Sequence, residues 1–135
     1  MFLIIHTADE KKVFIGLAEK DKLAAKREFT AQYRQAEKLL VEIDKLLASR
    51  ACKPASLQAI FVVLGPGPFT ALRIGVVTAN TLAWALKIPV VGIKLDEFKA
   101  IDQLIKIGGQ KIKRTKIGRT VEPFYGREPN ITLKK

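Results

Sequence analysis

Hydrophobic and polar positions fall in blocks along this chain, and the period of each block predicts its element. Phe2 to His6 is a short apolar run, and Val13 to Ala18 is a second, after the charged turn Asp9-Glu10-Lys11-Lys12. Lys22 to Phe29 forms a third strand after Glu19-Lys20-Asp21. Connections this short and polar predict antiparallel hairpins. The period then lengthens. Ala36, Leu39, Leu40, Ile43, Leu46 and Leu47 recur every three or four residues and make one apolar stripe. Arg34, Lys38, Glu42 and Lys45 lie opposite, so the helix reads as Arg34 to Leu47, with Thr30 as N-cap and Lys53-Pro54 marking its far end.

The second half alternates strand and helix. Gln58 to Leu64 is a strand, Gly65-Pro66-Gly67-Pro68 is a stiff turn, and Thr70 to Leu86 is an apolar helix. Pro89 to Ile93 is a fifth strand, and Asp96 to Lys106 is a last, shorter helix. Three hairpin-linked strands followed by right-handed crossovers predict an α/β fold: a mixed five-stranded sheet with helices on its faces. The expected domain covers residues 1–107. Residues 108–135, beginning at Gly108-Gly109, show no period and read as a basic C-terminal tail ordered by lying on something else.

Arg73 is the only ionisable residue between Phe69 and Leu86. A helix apolar on nearly every side must be covered by its own domain or by a partner. Ile74, Val77 and Leu82 exceed what one sheet can cover, and a large apolar patch on a monomer marks an interaction site.

At 135 residues, 48% hydrophobic and 27% charged, the chain fits one globular domain. Lys, Arg or Gly interrupts the apolar stretches before a membrane span's length, and no basic region precedes the apolar start. A cytoplasmic protein with no membrane partner is the expectation. Cys52 is the only cysteine and His6 the only histidine, far apart in sequence, so Cys52 reads as structural. The net charge of +11 concentrates late: Lys106, Lys111, Lys113, Arg114, Lys116, Arg119, Arg127, Lys134 and Lys135 face only Glu122 and Glu128. Such a segment suits phosphate backbones, although no aromatic between Lys106 and Arg119 is available to stack on bases.

Three places invite chemistry. A glycine-rich turn before a helix commonly binds phosphate. Here Thr70 stands where a dinucleotide fingerprint has its third glycine, no Walker lysine follows, and Pro66 and Pro68 remove two N–H donors. The turn therefore reads as architectural. At the end of the first strand, Ile5-His6-Thr7-Ala8 offers a lone imidazole, a poor ligand for magnesium, and Asp9 belongs to the next turn. No catalytic residue, cofactor or metal is assigned. In the tail, Val121-Glu122-Pro123-Phe124-Tyr125-Gly126-Arg127-Glu128-Pro129-Asn130-Ile131 combines a stiffening proline with two aromatic anchors, and docking onto its own domain is the favoured reading.

Gly65-Pro66-Gly67-Pro68-Phe69-Thr70-Ala71-Leu72-Arg73-Ile74-Gly75 resembles the signature of the TsaB (YeaZ) family, with Val121 to Arg127 similar to its chain end and Gln35 to Leu40 similar to its first helix. Pro68 and Ala71 replace the family's usual Ser and Gly. The resemblance implies an actin-like, ribonuclease-H-like fold with most of the family's second domain absent. It also implies a non-catalytic scaffold in threonylcarbamoyladenosine modification of transfer RNA. Such a scaffold pairs with and activates the catalytic subunit TsaD and works with the ATPase TsaE. The implied partner surface comprises Leu39, Leu40, Ile43, Leu47, Phe69, Leu72, Arg73, Val76 and Asn80, and Asn80 would set register in a helix bundle. The signature-turn residues are Gly65, Pro66, Gly67, Pro68, Thr70 and Gly75. A homodimer through the same helices, a transfer RNA contact through the tail, and a nucleotide-binding actin-like protein stand beside it as alternatives.

Overall fold

A computed structural model describes residues 1–30 and 35–126. Strands β1 (Phe2–His6), β2 (Lys12–Glu19) and β3 (Lys22–Thr30) form the expected antiparallel meander, with Ile4 opposite Gly16 and Ile15 opposite Arg27. Their turns are locally encoded. Asp9 Oδ1 accepts the Lys11 and Lys12 N–H groups at 2.7 and 3.1 Å, and Lys20 takes a left-handed φ of 59°. Thr30 is the last residue of β3, paired with Lys12, so the backbone ladder outlasts the apolar pattern by one residue; the cap role expected of it falls on residues outside the described ones. Arg34, expected on the first helix, lies outside the described residues.

Helix α1 (Gln35–Ser49) ends where Ala51 turns left-handed (φ 49°) and the Cys52 N–H reaches Leu47 O at 2.9 Å. Strand β4 (Ala59–Gly65) pairs parallel to β1, helix α2 (Phe69–Leu86) follows, and β5 (Val90–Lys94) pairs parallel to β4. The sheet order is β3-β2-β1-β4-β5. Lys87 stops α2 in the left-handed conformation, with the Ile88 N–H on Ala83 O at 3.0 Å and Pro89 next.

The last helix differs from its expected bounds. Leu95–Glu97 closes as a separate turn because Glu97 Oε2 accepts the Lys94 N–H at 2.7 Å. Helix α3 then runs Ile101–Lys111, its start capped by the Gln103 side chain, which accepts the Lys99 and Ala100 N–H groups. Gly108 and Gly109 do not stop it, so residue 107 marks no break. Gly108 is in α3 for packing: a Cβ there would sit 2.6 Å from the Phe61 ring.

Period-two alternation sorts the core into two layers. Leu3, Ile5, Ile15, Leu17, Ile60 and Val62 face α1 and most of α2, where Leu39, Ile43, Leu46, Val76, Ala79 and Ala83 meet them. Ile4, Ala18, Phe61, Val63, Val91 and Ile93 face Leu104 and Ile105 of α3, and Leu72 of α2 joins this second layer. Contrary to the sequence expectation, α2 is long and apolar enough by length and composition to cross a membrane; in the fold it packs against β4 and α1.

Candidate functional site

The ends of β1 and β4 and the start of α2 are packed backbone to backbone. A Cβ on Gly67 would lie 2.5 Å from Ala8 O, and one on Gly75 would collide with Thr7 Oγ1. Glycine at both positions lets the signature turn lie directly on the residues after β1. Pro68 enters α2 with φ −61° and ψ 130°, its carbonyl accepting the Leu72 N–H at 2.9 Å, and Thr70 is exposed and caps nothing. Thr7 is buried, and among the described residues its hydroxyl has no hydrogen-bond partner.

The segment 121–126 closes the other side of this turn. The Phe124 N–H donates to Leu64 O at 2.8 Å, binding the last part of β4 beyond its pairing with β1 at Val62. Gly65, with φ 122°, has no room for a side chain because Phe124 O occupies that space. Tyr125 sets its ring edge-on to Phe69 with centroids 4.4 Å apart, and Lys94 Nζ stands 4.3 Å over the Phe124 ring. Asn80 completes the clamp: its Nδ2 donates to Val121 O at 2.9 Å and its Oδ1 accepts the Val121 N–H at 3.0 Å. Two stretches that the sequence marks separately are thus one structural unit. The expected residues from Arg127 to Lys135 lie outside the described ones.

His6 Nδ1 accepts the Ala8 N–H at 3.2 Å, and its ring meets Phe98 edge-on. Burial pushes the imidazole pKa down, with the Asp9 charge opposing. The Asp9 carboxyl is held below its ordinary range chiefly by the Lys11 and Lys12 N–H groups of its turn. A cavity of about 280 Å³ lies between His6, Asp9, Lys12, Phe14, Glu28 and Ile101. Among the described residues no group of three His, Cys, Asp or Glu side chains could hold a metal ion.

The implied partner surface divides sharply. Leu39, Ile43, Leu47, Leu72 and Val76 are buried in the core and present no surface, because the stripe that predicted them is the one α1 and α2 turn toward the sheet. Asn80 grips Val121 within the same chain and is not free to set register with a second helix. Leu40, Phe69 and Arg73 do face outward. Beside them stand Val41, Val77 (60% exposed) and Trp84 (78% exposed). Phe69, Arg73, Val77 and Trp84 are spaced by four, four and seven, one outer stripe of α2. That spacing was the available signal for Trp84, which the inward pattern masks.

A sheet of three antiparallel and two parallel strand positions, with α1 and α2 on one face and α3 on the other, defines a domain of the actin-like, ribonuclease-H-like class. RuvC from T. thermophilus, solved with a Holliday junction substrate, shares that fold alone: TM-score 0.52 over 92% of this chain and 83% of that one, at 10% identity. The family model described as TsaD, tRNA N6-adenosine threonylcarbamoyltransferase, matches residues 29–106. The chain belongs to this family, and within it is TsaB-like. YeaZ from Pseudomonas aeruginosa superposes with a TM-score of 0.63 at 26% identity, covering 69% of this chain and 43% of that one. The tRNA threonylcarbamoyladenosine biosynthesis protein TsaB of Bacillus subtilis is 33% identical over 58% of this chain and 34% of its own. An uncharacterised Mycobacterium tuberculosis protein is 40% identical over 68% of this chain and 41% of its own. The chain spans less than half the length of these relatives.

Proposed function

We propose that this chain acts in threonylcarbamoyladenosine modification of transfer RNA as a non-catalytic subunit that pairs with a TsaD-like catalytic subunit. The outer face of α1 and α2 is the contact. The observation that carries this reading is the exposed stripe Phe69, Arg73, Val77 and Trp84, with Leu40 and Val41 on the neighbouring helix: aromatic and apolar groups around one arginine, the composition of an interface centre. Asp9, whose carboxylate accepts the Lys11 and Lys12 N–H groups of its own turn, supports a subunit without its own chemistry. Its effect on the partner is then conformational, through tighter binding to one of the partner's states. A TsaE-like ATPase joins the assembled pair, and the isolated chain uses the same face to form a homodimer.

Size-exclusion chromatography with light scattering, on the chain alone and mixed with a TsaD-like subunit, tests the reading. A one-to-one complex that Val77→Glu and Trp84→Glu abolish is the expected result. Absence of a complex, or a complex that both variants keep, overturns it. Leu72→Glu and Val76→Glu are unsuitable probes because they place a carboxylate in the core.

A further inference from the structure

We infer that the cavity between the start of β5 and the segment after α3 is a phosphate-binding site. It has a volume of about 330 Å³, at the small end of the range of about 300–1,000 Å³ for ligand pockets. Lys111, Arg114, Lys116 and Arg119 line it together with Thr115 and Thr120, and the remaining wall is Val90, Val91, Gly92 and Val121. No carboxylate and no aromatic ring contributes to the lining.

Charge accounting separates these cations. Lys111 Nζ lies 2.6 Å from Glu97 Oε1 and 3.3 Å from Gly92 O, so it is neutralised and acts as an anchor. Arg114, Lys116 and Arg119 enter no ion pair among the described residues. Three like charges around one cavity repel one another, and an anion seated among them removes that repulsion.

The segment that carries them is fixed at both ends, by Lys111 to β5 and by Val121 to Asn80. Within it, Thr115 Oγ1 donates to Lys111 O at 2.8 Å, and the Thr115 N–H reaches Ile112 O. A charged loop held in this way loses little further freedom on binding. Arginine forks and the Thr120 hydroxyl are donors suited to phosphate oxygens, the Thr115 hydroxyl being spent on Lys111 O, and a lining without aromatics reads the phosphate and not a base. The site is separate from the outer face of α1 and α2 and does not depend on pairing there.

Amide NMR titration of the full chain with inorganic phosphate, a nucleoside monophosphate and a mixed-sequence RNA ten-mer tests the site. Shifts concentrated at Gly92 and at 111–121 are expected. RNA binding more than about ten-fold tighter than the monophosphate identifies the phosphodiester backbone as the source. Equal binding identifies a free phosphate, and either result supports the site.

The triple variant Arg114→Gln, Lys116→Gln, Arg119→Gln should lose the localised shifts and flatten the slope of log affinity against log salt by about 2, at roughly 0.7 per phosphate contact on a single strand. A control with Lys11→Gln, Lys20→Gln and Lys53→Gln removes the same charge from exposed surface outside the cavity lining and should keep both. Equal losses in the two triple variants, or no localised shift with any probe, overturn the inference. An unchanged unfolding temperature confirms that each variant is folded.

Discussion

Asn80 and Val121 form a two-hydrogen-bond ring across 41 residues of sequence, the amide side chain of α2 reading both backbone groups of the terminal segment. This contact holds the segment beside the signature turn. Asn80→Ala removes both bonds, with a cost of about 1–2 kcal/mol at roughly 1 kcal/mol per bond. The Val121 and Phe124 amides should then exchange faster, by hydrogen-exchange measurement, while those of β1 stay protected. Unchanged exchange at Val121 contradicts the role.

Gly75 and Thr7 should be coupled. Alanine in a helix interior ordinarily gains up to about 1 kcal/mol over glycine. Here Gly75→Ala drives a Cβ into Thr7 Oγ1 and should cost about 1–3 kcal/mol in denaturant unfolding. Thr7→Ala, which deletes a buried hydroxyl without a partner, should cost less than about 1 kcal/mol and rescue Gly75→Ala, whereas Thr7→Ser should not.

The ion pair of Arg27 on β3 and Glu42 on α1 predicts an acid-dependent stability. The Arg27 hydrogen bond, aided by Lys45 and Lys38 and opposed by burial, holds the Glu42 carboxyl below its ordinary value of 4.5. Its contribution is therefore complete above the unfolded value and is lost as pH falls through the folded one. Arg27→Ala leaves a buried carboxylate and should cost about 1–3 kcal/mol at pH 7. The deficit should shrink towards pH 3, read as unfolding temperature against pH. A deficit independent of pH contradicts the assignment.

Trp84 is the only tryptophan and stands 78% exposed on the outer stripe of α2. Its emission in a monomeric state should be that of a hydrated indole, freely quenched by acrylamide. Pairing through this face should shift the emission to the blue and protect it from quenching. Unaltered emission in a proven complex places the interface elsewhere.

The strands and their pairing were legible because alternation along Leu3-Ile4-Ile5 and Ile60-Phe61-Val62 reflects burial on both faces of the sheet. The bounds of α3 were not, since Gly108 reads as a stop and only the fold reveals the Phe61 ring beneath it. The partner surface was half legible for a related reason. Periodicity identifies the apolar stripe of a helix, and the strongest stripe is the one that packs inward; Leu72 and Val76 belong to it. Trp84 and Val77 lie on the weaker stripe opposite. The docking of 121–126 could be anticipated from Pro123, Phe124 and Tyr125, but the receptor, Asn80, carries no local mark of its use.

Helix α2 contributes Leu72, near its start, to one hydrophobic layer and Val76, Ala79 and Ala83 to the other, so it joins the two like a rivet through two plates. That helix is a packing element common to both plates. Loss of structure should accordingly spread to both sides at once, and a ligand or subunit gripping the helix from outside would steady the entire domain.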